Sequence, residues 1–322
     1  MGMLRENSKF KANFKELRVG VFRGGVSPER EISLLSGENV IRALREKGYK
    51  AIDIDLKTKE AEEILEIIRK NFIDIVFIVL HGEFGEDGYL QKILEENNVP
   101  FTGSGSEASS LAMDKIQTKK ILEKNNIPVP EYWIEDEGLP DFAPGDFPLV
   151  VKPHYVGSSI GVSIIKDRFQ LREAISLAKK YSSRVIVERY IKGKELTVGI
   201  VGRRVLPIIE MRFKREFFDF SCKYEDNQAE FIVPAKLSPQ LYKNIQELAY
   251  KVFQVLGCRG FGRVDLRLSF DSKPYILELN SIPGLTSHSL LPLAAKKAGL
   301  SLGELCEEVL KEAAERLKIA SY

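Results

Sequence analysis

Two short runs in the last third of the chain, Gly262-Arg263-Val264-Asp265-Leu266 and Leu277-Glu278-Leu279-Asn280, alternate polar and apolar side chains. A period of two is the pattern of a half-buried strand. The segment between them, Phe270-Asp271-Ser272-Lys273-Pro274, has turn chemistry. Closed as a hairpin about Asp271-Ser272, the pair sets Asp265 opposite Glu278 and Arg263 opposite Asn280. Side chains directly opposite each other lie about 5 Å apart. Two bare carboxylates at that spacing repel. A hard divalent cation between them, with Asn280 as a neutral oxygen ligand, removes the repulsion. Such a cation beside an arginine suits the handling of a nucleotide phosphate. The plain alternative is a surface hairpin with solvated charges, which leaves the shaped run Ser281-Ile282-Pro283-Gly284 without a reason.

A chain of 322 residues is long enough for two or three domains with an ample core. Lys and Arg number 48 against 46 Asp and Glu, so the net charge of +2 gives no ground for nucleic acid or an anionic membrane as partner. No apolar run approaches the ~18 residues of a membrane span. Residues 1–17 are polar and charged, without the apolar stretch of a secretory signal, and read as a flexible tail. Cys222, Cys258 and Cys306 are odd in number and far apart. This argues against a disulfide framework and for reduced thiols in the cytoplasm.

Residues 18–112 alternate strand and helix. Strands are expected at 18–23, 51–56, 74–80 and 100–102, with helices at 28–47, 59–70 and 89–98; Ser27 would cap the first helix and Pro28 would open it. Such alternation means an open parallel sheet, whose ligands bind at the carboxyl ends of the strands. The loops 24–29 and 81–88 are therefore candidate substrate loops. The later chain reads as a helix at 115–125, strands at 149–153 and 162–165, and a helix at 168–180. Strands at 184–191, 195–201 and 204–213 follow, then an irregular stretch (214–230), a helix at 238–256, the hairpin, and C-terminal helices. Lys152 ends an apolar strand beside Gly157-Ser158-Ser159-Ile160-Gly161. Small residues there let backbone N–H groups approach a phosphate. Taken alone, that turn is equally an ordinary hairpin. Glu188 ends another apolar run, and Glu195 follows seven residues later. An acid at a buried strand end can accept from an adenine amine, and a second can hold ribose hydroxyls; each alone is equally a surface charge.

The order of these parts resembles the ATP-grasp superfamily, and the finer match is to the D-alanine–D-alanine ligase family. Gly24-Gly25-Val26-Ser27-Pro28-Glu29-Arg30-Glu31-Ile32-Ser33 resembles its N-terminal motif, and Leu80-His81-Gly82 with Gly85-Glu86-Asp87-Gly88 its second. Phe101-Thr102-Gly103-Ser104-Gly105 leading to Met113-Asp114-Lys115 resembles the third. Val151-Lys152-Pro153 with residues 157–161 resembles the ATP lid, and 278–289 the C-terminal signature.

The resemblance implies an N-terminal Rossmann-like α/β sheet domain (18–112) and an ATP-grasp fold of two α+β subdomains (113–200 and 201–322). It implies that Asp265, Glu278 and Asn280 bind two Mg²⁺ or Mn²⁺ ions. Lys115 and Lys152 would hold ATP phosphates under Gly157, Ser158, Ser159 and Gly161. Glu188, Tyr190, Ile191 and Leu277 would form the adenine slot, and Glu195 would take the ribose. Glu29 would take the ammonium of the first D-alanine, near His81. Arg263 and the Gly284 N–H would face the tetrahedral oxyanion, and Ser289, Leu290 and Lys223 would take the second D-alanine carboxylate. Glu29, Ser158 and Tyr224 would form a hydrogen-bonded triad that latches residues 214–230 over the site. A cytoplasmic homodimer that makes a peptidoglycan precursor is implied as well. Tyr190 and Ile191 stand where relatives often carry Trp and Leu, which reshapes the adenine slot. Three alternatives keep part of this reading: a ligase using D-lactate or D-serine as nucleophile, which Lys223-Tyr224 argues against; another ATP-grasp carboxylate–amine ligase; and a nucleotide-binding protein without chemistry.

Overall fold

The computed structural model describes residues 14–213 and 229–319. The first strand, β1 (Arg18–Gly24), is buried at Val19, Gly20, Val21 and Phe22 because it is covered on both faces. It pairs in parallel with β2 (Lys50–Leu56) on one side and β3 (Ile75–Ile78) on the other. The four residues of β3 are all buried, as expected for an interior strand of a parallel sheet. A single parallel bridge, Val76 to Phe101, adds one more rung beyond β3. The strand expected at 100–102 shrinks to this bridge because Pro100 has no N–H to give and Gly103 turns the chain at φ +88°.

The helices α1 (Arg30–Glu46), α2 (Ala61–Lys70) and α3 (Tyr89–Glu96) connect these strands. α1 opens two residues later than Pro28. The Ser27 hydroxyl donates to the His81 carbonyl oxygen at 2.6 Å and accepts from the Glu29 N–H at 3.2 Å. These bonds hold residues 27–29 as a turn and leave Glu29 at the helix N-terminus. Upstream, Phe14 and Leu17 pack against the core, so the expected tail is pinned at its end. The helix α4 (Ser106–Met113) was not expected. Its three serines compete with the backbone for hydrogen bonds, and it is held by burial of Ala108, Ser109 and Ala112.

α5 (Lys115–Lys124) starts on Asp114, whose carboxylate accepts from the N–H groups of Ile116 and Gln117 at 2.9 and 3.0 Å. A four-stranded sheet follows, in the order β4 (Tyr132–Ile134), β7 (Val185–Arg189), β5 (Leu149–Pro153), β6 (Ser163–Ile165), with α6 (Leu171–Lys179) against it. The third sheet contains β8 (Gly193–Val201), β9 (Arg204–Val205), β10 (Ile209–Phe213), β11 (Ala229–Ile232), β12 (Phe261–Ser269) and β13 (Pro274–Asn280). The strand expected over 204–213 breaks at Pro207, which cannot donate to a ladder. Gly193 lies against β12, and a Cβ there would meet the Leu268 carbonyl oxygen at 2.0 Å. By this pairing the third sheet begins at Gly193.

The hairpin has the expected register at its functional end: Arg263 faces Asn280 and Asp265 faces Glu278. Nearer the turn the pairing is shifted by one, with Leu266 opposite Ile276, so a β-bulge leaves Leu277 as the extra residue. Ile276 and Leu279 are buried on the core side, while Leu277 and Glu278 are both half-buried.

Beneath the third sheet, α7 (Pro239–Val255) buries Ile245, Ala249, Val252 and Phe253, a helical stripe, against Val264, Leu266, Ile276 and Leu279. A separate core runs from the first sheet to α8 (Leu290–Lys297) and α9 (Leu302–Ile319) and includes Phe261 of β12. The Phe77 and Phe261 ring centroids lie 6.4 Å apart, so this pair fastens the first sheet to the third. Among the described residues no helix is long and apolar enough to cross a membrane. Phe261→Ala should lower the unfolding free energy by about 3–5 kcal/mol, the usual cost of emptying an aromatic core position. Urea unfolding of the variant against the parent checks this; a loss within experimental error would mean that the two sheets are fastened elsewhere.

Candidate active site

Val264, Leu266 and Leu268 point into the α7 core, so alternation turns Arg263, Asp265 and Arg267 to the other face of β12. There the Arg263 guanidinium grips Asp265 with two bonds, 2.9 Å to Oδ1 and 2.8 Å to Oδ2. The Thr197 hydroxyl donates to Oδ1 at 2.5 Å and the Asn280 amide to Oδ2 at 3.1 Å. Burial lowers the Arg263 pKa, but Asp265 and Glu278 outweigh it and hold the guanidinium firmly charged. Glu278 is met by Lys115, whose Nζ is 3.4 Å from its Oε2 and also donates to the Val156 carbonyl at 2.8 Å. The structure thus brings together the three residues expected to ligate metal, each beside a cation or a donor.

The lid lies directly above. Ser158, Ser159 and Gly161 have φ of 53°, 59° and 71°. Left-handed conformations at non-glycine residues carry strain of the kind that gathers at functional loops. Ser158 donates its hydroxyl to Glu29, which ties the lid to the turn at the carboxyl end of β1. Glu29 is also beside Gly82, where a Cβ would lie 2.6 Å from Glu29 Oε2. His81 completes this corner, with Nδ1 3.0 Å from the Ile282 carbonyl and Nε2 3.4 Å from the Ser36 hydroxyl. Burial disfavours its imidazolium, but Glu86, 3.9 Å away, and Glu29 outweigh this and raise its pKa. Ser289 lies at the N-terminus of α8 and accepts from the Thr286 N–H at 3.0 Å. A Cβ on Gly284 would be 2.7 Å from its hydroxyl, which places Gly284, Ser289 and Leu290 together.

Lys152, on β5, and Glu188, on β7, meet deep in the molecule, with Nζ 2.8 Å from Oε1. A second ammonium, that of Lys119 on α5, lies 3.0 Å from the same oxygen. Burial pushes the Glu188 carboxyl up, yet the two lysines outweigh it and hold its pKa below the ordinary value. Glu195 pairs with Arg267 Nη1 at 2.8 Å. The same guanidinium donates to the Ile191 carbonyl at 3.0 Å and to the Tyr190 hydroxyl at 3.0 Å. Its centre lies 5.0 Å from the Tyr190 ring centroid. Arg267 therefore organises three of the residues expected around a nucleoside.

Sequence reasoning missed Arg267, Thr197, Glu86 and Lys119. Arg267 had a signal, since it continues the Arg263, Asp265 alternation. Glu86 sits in the quoted loop 81–88 without a role. Lys119 and Thr197 carry no signal without the packing. Lys223 and Tyr224 lie outside the described residues.

The parallel first sheet, followed by a four-stranded sheet with a small-residue lid and a larger antiparallel sheet carrying the carboxylates, is the ATP-grasp arrangement. A family model described as the D-ala D-ala ligase C-terminus matches residues 143–311, and one for the D-ala D-ala ligase N-terminus matches 56–104. The D-alanine–D-alanine ligase of Syntrophotalea carbinolica is 41% identical over 308 residues, covering 94% of this chain and 98% of the relative. That of Carboxydothermus hydrogenoformans is 41% identical, covering 91% and 97%. Among solved structures, the D-alanine–D-alanine ligase of Bacillus anthracis superposes with a TM-score of 0.82 at 34% identity, covering 95% of this chain and all of that one. The same enzyme complexed with ATP gives 0.80 at 33% identity, covering 95% and 99%. The VanG D-Ala:D-Ser ligase of Enterococcus faecalis gives 0.77 at 28% identity, covering 92% and 99%. The chain belongs to the D-alanine–D-alanine ligase family.

The raised His81 pKa has a checkable consequence. A group whose pKa is higher in the fold than in the unfolded chain adds stability that is full below about pH 6.5 and fades as pH rises through the folded value. Glu86→Gln should lower the pH at which the His81 ring proton signal titrates, because burial then dominates. An unchanged titration, read by NMR on a chain with only 3 histidines, would show that Glu86 does not hold the proton there.

Proposed function

We infer that this protein joins two D-alanine molecules into D-alanyl-D-alanine, a peptidoglycan precursor, at the expense of ATP, with ADP and phosphate as the other products. The observation that carries this reading is the lid hydroxyl of Ser158 on Glu29, which puts the phosphate-covering loop and the amino-acid corner into one site. Glu29 takes the ammonium of the first D-alanine. One carboxylate oxygen of that D-alanine attacks the γ-phosphorus of ATP, the bond to the β-phosphate oxygen breaks, and ADP leaves. Lys115 and Lys152 balance the phosphate charge. The neutral amine of the second D-alanine then attacks the carbonyl carbon of the D-alanyl phosphate, and its carboxylate rests on Ser289 and the Leu290 N–H. Arg263 and the Gly284 N–H face the oxyanion. When the carbonyl re-forms, the acyl–oxygen bond breaks and phosphate departs, and the proton lost by the attacking nitrogen leaves with it. Glu188, Tyr190, Ile191 and Leu277 take adenine, and Glu195 takes the ribose.

Among the described residues no group of three or more His, Cys, Asp or Glu could hold a metal ion. Asp265, Glu278 and Asn280 nevertheless fit magnesium, or manganese, since such ions share one or two carboxylates with substrate phosphates instead of filling a protein cage. Bound there, the metal would neutralise phosphate charge. Arg263 must then release part of its grip on Asp265. The described residues leave a cavity of only about 20 Å³ between Glu86, Lys115, Gly157, Glu278, Asn280 and Ser281, so the lid opens to admit ATP. We also propose that residues 18–112 form one unit and that the joint between the two later units, expected near 200, lies just before Gly193. By the same reading Tyr224 latches residues 214–230, and the working form is a cytoplasmic homodimer.

Phosphate release with ATP and magnesium is expected with D-alanine and not with L-alanine, with the dipeptide detected by mass. The likeness to the D-Ala:D-Ser ligase supports a second reading in which D-serine is the nucleophile. Mixed-substrate assays decide between them, and a dominant D-alanyl-D-serine or D-alanyl-D-lactate product would overturn the dipeptide assignment. Glu278→Gln should cut turnover by about a hundredfold or more, a loss of several kcal/mol in phosphate-charge stabilisation. Unchanged turnover across a magnesium titration would remove Glu278 from the metal set.

A further inference from the structure

Lys119 is a buried charge with no part in the proposed chemistry. Lys119 is 1% exposed, on the inner face of α5, where a lysine head group is costly to hold. Its neighbours account for the whole environment: Glu188 of β7 at 3.0 Å, Lys152 of β5, Glu123 of its own helix, and the ring of Tyr132 on β4, 5.3 Å from Nζ. Neither Lys119 Nζ nor Glu188 Oε1 has an aligned hydrogen-bond partner. The contact is a close ion pair between groups that are both 1% exposed. Two ammonium groups serve one carboxylate.

That surplus has a use once Lys152 is needed elsewhere. If Lys152 turns to a phosphate, Glu188 keeps one counter-ion only because Lys119 stays. Without Lys119, the same movement would strand a bare carboxylate in the interior, a strongly unfavourable state. The carboxyl would then either hold Lys152 back or take up a proton. An ionised carboxylate only accepts hydrogen bonds, as the amino group of adenine requires, whereas a protonated one can donate to the carbonyl of an oxopurine. We propose that Lys119 is a positioning residue for the nucleotide: it keeps the Glu188 carboxylate charged and in place so that Lys152 is free for phosphate and the purine slot prefers an amino-purine. This rests on the reading that Glu188 and Lys152 face ATP.

The test is calorimetric binding of ATP and ITP to the full-length protein, with KM and kcat measured alongside. Lys119→Met should weaken ATP binding and raise its KM about tenfold, by analogy with the cost of losing a buried counter-ion. The KM for D-alanine and kcat should stay within about twofold, and the preference for ATP over ITP should narrow. Lys119→Arg, which keeps the charge, should recover most of the loss. In a Glu188→Gln background, which has no charge to hold, Lys119→Met should have little further effect. Lys119→Gln supplies the same comparison if the methionine variant does not fold. Equal losses for ATP and D-alanine, a lowered melting temperature with ATP affinity unchanged, or additive effects with Glu188→Gln would each overturn the proposal. Binding of ATP is read without turnover, so failure of the ligase reading shows as absent dipeptide and leaves this comparison intact.

Discussion

The buried carboxylates at this site are each held in a partly dry interface by a cation or a hydroxyl donor, in most cases from another element. Asp265 is met by Arg263 on its own strand and Thr197 on β8, Glu278 by Lys115 on α5, and Glu188 by lysines on α5 and β5. Buried charge is tolerated only when paired, so these contacts also fix how the sheets and α5 sit against one another. The site and the packing of the larger sheets are thus one set of constraints. A change that removes one charge leaves its partner exposed to a low-dielectric surrounding, which is why single substitutions here act on stability and chemistry together.

The β-bulge at Leu277 shows how backbone irregularity serves the same end. An unbroken ladder would alternate Leu277 and Glu278 between the core and the open face. The extra residue lets both stay out of the α7 core while Ile276 and Leu279 stay within it. One strand can then present an apolar side chain next to a carboxylate on the same side, as the proposed adenine and phosphate roles of Leu277 and Glu278 require. Arg267 on the neighbouring strand extends the same face to Tyr190, Ile191 and Glu195. The polar face of the hairpin is continuous from oxyanion end to nucleoside end because strand side chains repeat every second residue.

The architecture was legible where pattern and chemistry coincided. Alternation together with the turn chemistry at Asp271-Ser272 predicted the facing of Asp265 with Glu278, and the buried Val and Ile runs marked the parallel strands. What the sequence hid was of two kinds. Some features depend on tertiary packing: α4 carries three serines, which favour turns over helix interiors, and Lys119 looks like an ordinary helix lysine until the four-stranded sheet closes over it. Others depend on local competition for hydrogen bonds. Ser27 looks like the cap of a helix opened by Pro28, but its hydroxyl is spent on the His81 carbonyl, so the helix starts late and Glu29 is presented at its tip. The bulge had no signal either, because Leu-Glu-Leu-Asn fits a regular strand equally well.

The pairing of the site's own cations with its own carboxylates bears on how substrates enter. Arg263, Lys115 and Lys152 are each engaged with a protein acid in this state, so an incoming nucleotide must compete for them instead of meeting free positive charge. Exchange of one anion for another costs far less than creating an unpaired ion in the interior. On the proposed reading a phosphate would draw Lys115 and Lys152 away from carboxylates in one event, and those carboxylates would need either a replacement cation or a spare one. On the proposed reading a divalent metal held by Asp265 and Glu278 would supply the replacement there. At Glu188 no phosphate oxygen follows the base, and the spare lysine on α5 takes that part. On that reading the two ends of the nucleotide would be compensated by different chemistry, a mobile ion at the reacting phosphate and a fixed ammonium at the base.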